Sequence, residues 1–139
     1  MEIIEVQASN FQQFQTILNI SGNPMEEWDQ FAQDPFRHCY LLKKDDIICA
    51  YIDFSMIYER AELNQIFVIE SYRKQHCASQ LMDFMIEQCM NQHCCNVTLE
   101  VRESNIAAQK LYQKYQFQSV AKREHYYQIE DAILMERTL

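Results

Sequence analysis

Between Glu62 and Val101 the spacing of apolar residues changes twice, and this change limits the possible folds more than any other feature of the chain. Glu62–Val68 and Asn96–Val101 read as extended segments rich in Ile, Phe, Val and Leu. Between them Ala78, Leu81, Met82, Met85 and Cys89 recur at the spacing of one helix face. Two strands joined through a helix pair in parallel, and such crossovers are right-handed. A chain holding this unit is an α/β protein with a mixed sheet. The first turn of the crossover helix then emerges beside the end of a strand, where free backbone N–H groups favour anions. Arg73, Lys74, Gln75, His76, Cys77, Ala78 and Ser79 occupy that corner.

The flanking sequence supplies the other elements. Met1–Ala8 reads as a strand. Ser9 with Gln12 matches a capping box opening a helix with Phe11, Phe14, Ile17 and Leu18 on one side. Asn23-Pro24 followed by Glu26 repeats the start signal and predicts a helix holding Trp28 and Phe31, ending near Asp34-Pro35. His38–Lys43 and Ile47–Tyr58 read as strands of a hairpin joined at Lys43-Lys44-Asp45-Asp46. A helix over Asn105–Tyr115 and strands over Ser119–Tyr126 and Ala132–Glu136 close the chain. The order β-α-α-β-β-β-α-β-α-β-β predicts about seven strands and four helices in one 139-residue domain.

Composition excludes several classes of function. Twenty acidic against twelve basic side chains give a net charge of −8. This disfavours broad binding to nucleic acid or anionic membrane and attracts a basic peptide. The N-terminal Met-Glu-Ile-Ile-Glu-Val has no basic stretch leading into an apolar one, and no apolar run nears the roughly 20 residues that span a bilayer. Six cysteines without a CxxC pair suggest reduced, mostly buried thiols in a cytoplasmic protein. His93-Cys94-Cys95 lacks a second ligand cluster, so no metal centre is expected. Gly22 is the only glycine, against about 7% in ordinary domains, so a Gly-rich phosphate loop is absent.

Thr98–Tyr112 carries the chemistry. Glu100 lies among apolar strand residues, Asn105 at the break before a helix, and Tyr112 two turns into that helix. Amine acyl transfer needs a proton acceptor and a proton donor held on rigid elements. Each residue also has a plainer use. Glu100 shares a strand face with Arg102 and can pair with it, Tyr112 sits at core spacing, and Asn105 or Ser104 can cap the helix. Cys77 near a helix start has no partnered acid, which argues against a nucleophile.

Leu99-Glu-Val-Arg102, Ser104-Asn105, Ala107-Ala108, Leu111-Tyr112, Arg123, Tyr126-Tyr127 and Glu130–Met135 together resemble the GNAT superfamily of acetyl-CoA-dependent N-acetyltransferases. More narrowly they are similar to the bacterial ribosomal-protein alanine N-acetyltransferases. The resemblance implies a GNAT-like fold with acetyl-CoA as co-substrate. It implies that Ile66, Phe67 and Val68 bind the pantetheine arm and thioester through their backbone, and that the corner up to Ser79 holds the diphosphate. Asn105 would contact the cofactor, Glu100 accept a proton and Tyr112 donate one. Tyr126 and Tyr127 are candidates for the acceptor groove. Three departures stand out: His76 replaces the first motif glycine, Gln116 replaces the glycine before Phe117, and the segment from Tyr127 to Glu130 is short. The implied acceptor is a basic protein N-terminus; the alternatives are a small-molecule amine or a lysine, or a degenerate scaffold that binds without turnover.

Overall fold

The computed structural model describes residues 1–124 and 130–139. Among them the strands are β1 (Glu2–Glu5), β2 (Arg37–Lys44), β3 (Ile47–Ile57), β4 (Arg60–Val68), β5 (Asn96–Arg102), β6 (Gln118–Arg123) and β7 (Ala132–Thr138). The helices are α1 (Phe11–Ser21), α2 (Trp28–Ala32), α3 (Cys77–Asn91) and α4 (Ile106–Lys114). The strands form one sheet in the order β1-β2-β3-β4-β5-β7-β6. β4 and β5 run parallel, as the crossover predicts, and the other neighbours are antiparallel.

Each face of the sheet carries its own core. Leu81, Met82 and Met85 of α3 pack with Phe54, Val97 and Leu99, and Tyr112 of α4 joins the same cluster. On the other face Phe14, Ile17 and Leu18 of α1 and Phe31 of α2 pack with Leu41 and Tyr51. Phe11, Phe14 and Phe31 form a closed triangle of rings with centroids 5.4–5.6 Å apart. Burying one such side chain contributes roughly 1.5–3 kcal/mol.

Two start signals act differently from their sequence reading. The capping box forms at Gln7 and Asn10 rather than Ser9 and Gln12: Asn10 Oδ1 accepts from the Gln7 N–H at 2.8 Å, and a short 3₁₀ turn over Ala8–Asn10 precedes α1. Asn23 caps nothing. Its amide donates to Ser21 Oγ at 2.7 Å and Tyr51 Oη at 2.9 Å, and α2 begins only at Trp28 behind Glu27. A buried tyrosine hydroxyl needs a partner, and here that need outweighs the local capping preference.

The sheet is not continuously bonded. In the β3–β4 pairing the register jumps from Asp53↔Gln65 to Phe54↔Leu63, leaving Asn64 as an extra residue in β4. A bulge bends the strand that carries it. β4 pairs with β5 only at Arg60↔Asn96, Ala61↔Val97 and Glu62↔Thr98. Beyond the bulge β4 stays with β3 as far as Ala50↔Val68, while β5 stays with β7 as far as Arg102↔Ala132. The sheet therefore parts between the two parallel strands.

All six thiols are free, and Cys95 alone is exposed. Burial pushes the Cys49 thiol up to about 11 and the Cys89 thiol up to about 12, and it raises Cys39 and Cys94 as well. Thiolate is the reactive form, so these groups stay protonated and shielded near neutrality. In a disulfide-exchange titration of the native protein at pH 7.5, Cys95 is expected to react rapidly, and the buried thiols only after denaturant is added. Rapid release of several equivalents from the native protein would contradict this packing.

Candidate active site

A cavity of about 700 Å³ opens where the sheet parts. Ile66, Phe67 and Val68 of β4 form one wall. Ile66 and Val68 pack towards α3, whereas Phe67 packs towards α1 and α2, so residues from both faces of the sheet border the same space. Among the described residues no strand pairs with the β5-facing edge of β4 here, which leaves backbone groups other than the Val68 carbonyl available to an extended ligand.

The floor is the corner leading into α3. Arg73, Lys74, His76, Cys77, Ala78 and Ser79 line it. Lys74 (φ 61°) and His76 (φ 65°) are left-handed, and His76 immediately precedes the helix. The first helical bond runs from Gln80 N–H to the His76 carbonyl at 3.0 Å. The N–H groups of Cys77, Ala78 and Ser79 thus have no acceptor within the helix, and the helix dipole adds positive potential. Arg73 Nε donates to the Val68 carbonyl at 3.0 Å, pinning the corner to the end of β4. Gln75 does not line the cavity: its side chain accepts from Lys44 Nζ at 2.5 Å and donates to the Ser71 carbonyl at 3.2 Å.

The opposite wall is α4. Asn105, Ala107, Ala108, Leu111 and Tyr112 border the cavity. Asn105 performs the plainer of its two roles, its Oδ1 accepting from the Ala108 N–H at 3.1 Å as N-cap. Tyr112 is buried against Phe117, with ring centroids 6.0 Å apart. One turn on, Tyr115 Oη donates to the Ser79 carbonyl at 2.9 Å, locking α4 to the start of α3. Burial raises the Tyr115 pKa above the ordinary phenol value, so this donor keeps its proton throughout the physiological range. Ala107, Ala108 and Leu111 carried the family resemblance in the sequence but were given no place in the site, and Tyr72 was not assigned to it. Helical spacing sets Ala108 one turn before both Leu111 and Tyr112.

Glu100 comes from the other side. Its neighbours Leu99 and Val101 belong to the α3–α4 core, so alternation turns Glu100 to the face that carries α1 and α2. It is not among the cavity-lining residues. Its side chain is 20% exposed; Oε1 lies 2.8 Å from Arg123 Nη2, and Oε2 is buried without a hydrogen-bond partner among the described residues. The sequence suggested Arg102 as a partner, but Arg102 turns to Glu130 at 3.7 Å. Glu130 also accepts from the Ser104 N–H and Oγ at 3.0 and 2.7 Å, and these bonds hold its carboxyl below the usual range. Tyr126 and Tyr127 lie outside the described residues.

The family model described as "Acetyltransferase (GNAT) family" matches residues 4–117. A Bacillus subtilis strain 168 protein, provisionally named a [ribosomal protein bS18]-alanine N-acetyltransferase, is 29% identical over 110 residues, covering 78% of this chain and 73% of that protein. The crystal structure of the ribosomal-protein-S18-alanine N-acetyltransferase from Escherichia coli superposes with a TM-score of 0.86 at 23% identity, covering 99% of this chain and 92% of that one. A GNAT family acetyltransferase from Elizabethkingia anophelis with acetyl-CoA bound gives 0.76 at 20% identity, covering 99% and 97%. These last two likenesses are of fold.

Because Asn105 caps α4, Asn105→Ala is expected to lower stability by about 1 kcal/mol in a urea titration. An unchanged midpoint would show that the cap adds nothing to α4.

Proposed function

The chain belongs to the GNAT family of acetyltransferases, and from that membership we propose that it acetylates the α-amine of a protein N-terminus, with Glu100 and Tyr112 moving the protons. It is an acyltransferase, and its co-substrate is acetyl-CoA. The features that suit the co-substrate are those of the cavity: an unpaired strand edge at Ile66–Val68, free N–H groups at Cys77, Ala78 and Ser79, and two adjacent cations, Arg73 and Lys74. An extended amide-bearing arm matches the strand edge, and a diphosphate matches the helix start.

The observation that carries the assignment of roles is the parting of β4 from β5. Tyr112 borders it on the α3–α4 side, and Glu100 stands on β5 facing the other way. An amine approaching from the α1–α2 face then meets the carboxylate before it meets the thioester. It gives up a proton towards Glu100, its nitrogen bonds to the acetyl carbon, and the carbon–sulfur bond breaks. Tyr112 supplies a proton to the departing sulfur from the opposite side. The backbone N–H of Val68, which points away from β3 into the parting, stabilises the oxygen that carries the transient charge. The α-amine as acceptor is supported by relatives named for alanine N-acetylation, and its basic character by the net charge of −8.

Three measurements test this reading. Glu100→Gln should lower kcat by about 10²–10⁴-fold while the acetyl-CoA dissociation constant stays within about twofold; an undiminished rate would remove Glu100 from the base role. His76→Gly should tighten acetyl-CoA binding severalfold by calorimetry, because it clears an imidazole from the cavity at a left-handed position. Weaker binding would instead make the imidazole a contact. A peptide array should show acetylation at N-terminal α-amines in basic contexts, whereas label confined to lysine side chains or small amines would overturn the acceptor assignment.

A further inference from the structure

On the face of the sheet that carries Glu100, a row of polar side chains crosses three strands and has no part in the chemistry above. It begins in the connection between α1 and α2, where the Glu26 carboxylate takes both terminal nitrogens of Arg37 on β2, Nη2 at 2.6 Å from Oε2 and Nη1 paired with Oε1. The same guanidinium donates from Nε and Nη2 to Asp53 Oδ2 on β3, at 3.0 and 2.7 Å. Asp53 is 7% exposed. Its other oxygen accepts from Asn64 Nδ2 at 3.1 Å, and Asn64 also donates to Ser55 Oγ at 2.9 Å. Asn64 is the extra residue of the β4 bulge.

Both ends of this row are significant. Extending the register Glu62↔Thr98 by two residues on each strand sets Asn64 across the parting from Glu100. At the other end, Gln15 Nε2 donates to the Glu26 carbonyl at 3.0 Å, and the Phe31 ring lies 5.0 Å beneath the Arg37 guanidinium. One arginine therefore connects α1, α2 and their connection to the strand distortion that opens the site. Two carboxylates hold one cation, and the hydrogen bond to Glu26 foremost raises the Arg37 pKa, so the guanidinium stays charged at any physiological pH. Partly buried ion pairs add little net stability, and a guanidinium grips one carboxylate through two parallel N–H bonds while still donating to a second, a planar geometry an ammonium does not reproduce.

We infer that Arg37 is a positioning residue of the acceptor half of the site, holding the α1–α2 connection against the β4 bulge and so setting the wall past which the amine reaches Glu100. This rests on Glu100 being the proton acceptor. Glu26→Gln frees the connection while leaving the Arg37–Asp53 pair intact. It should raise KM for the best acceptor about tenfold, with kcat and the acetyl-CoA dissociation constant within about twofold. Arg37→Lys should not restore wild-type KM. Paired with Asn64→Ala, Glu26→Gln should cost less than the product of the two single effects, as expected of residues acting as one unit. Hydrogen exchange supplies a readout independent of turnover: the amides of Asn23 and Phe31, bonded to the Leu18 and Glu27 carbonyls at the two ends of the connection, should lose about tenfold of their protection in Glu26→Gln and Arg37→Lys while those inside α1 do not. Unchanged exchange at Asn23 and Phe31 would overturn the tether. Unchanged acceptor KM, or a loss confined to thermal stability, would overturn its role in positioning. A wild-type protein that acetylates no peptide would count against the proposed acceptor, with the exchange result still deciding the tether.

Discussion

The parting of β4 and β5 is the constraint on which the rest of the molecule depends. A parallel pair normally bonds along its full length, and its strands are buried beneath crossover helices. Here the pairing stops at Glu62↔Thr98, because Asn64 is inserted into β4 and each strand then follows its outer neighbour. The backbone groups released along Ile66–Val68 would be costly if sealed away from any partner. They instead face a cavity of about 700 Å³, which keeps them accessible to water or ligand. The distortion that disrupts the sheet is thus also what opens the cavity proposed to take the extended thioester arm.

A chain with a single glycine has to build its turns by other means. Gly22 ends α1 at φ 80°, its N–H bonded to the Asn19 carbonyl at 3.1 Å. The hairpin turn takes Asp45 and Asp46 at φ 54° and 60°, residues whose short polar side chains tolerate the left-handed region. Lys74, His76 and Gln116 adopt it too, each at a cost on the order of 1–2 kcal/mol relative to an unstrained residue. The backbone path expected at the two substituted glycines is therefore kept. What changes at position 76 is the imidazole that now borders the cavity, so the substitution alters the space a ligand finds more than the course of the chain.

Much of this was legible in the sequence, and the misses share a cause. The order of strands and helices followed from apolar spacing, and the parallel pair from the length of the crossover between Val68 and Asn96. The start of the crossover helix located the cavity corner at Arg73–Ser79. The plainer reading of Glu100 offered Arg102 as its partner because the two are near in sequence, whereas Arg123 reaches it from β6 across the intervening β7. Asn23 was read as a cap because Tyr51, which claims its amide, lies 28 residues away. Gln75 was counted with the cofactor corner, but Lys44 of a distant strand draws it aside. Local signals do not report which side chains the sheet order will bring together.

Charge is arranged differently near the site than over the whole molecule. The chain carries −8, yet the acids around the end of β5 are paired: Glu100 with Arg123, Glu130 with Arg102, and Glu103 and Asp131 with Lys122 at 2.8 and 3.3 Å. Of these, the Lys122–Glu103 pair is exposed on both sides and worth about 0–1 kcal/mol, while Glu100, Glu130 and Asp131 are partly buried against their partners. They do cancel much of the local field, which leaves attraction of a basic partner to the surplus spread over the rest of the surface. Such a field is screened over roughly 8–10 Å at physiological salt and acts on encounter more than on the bound complex. Under the proposed roles, selection among amines falls to the shape of the wall beside Glu100 and to the residues that hold that wall in place.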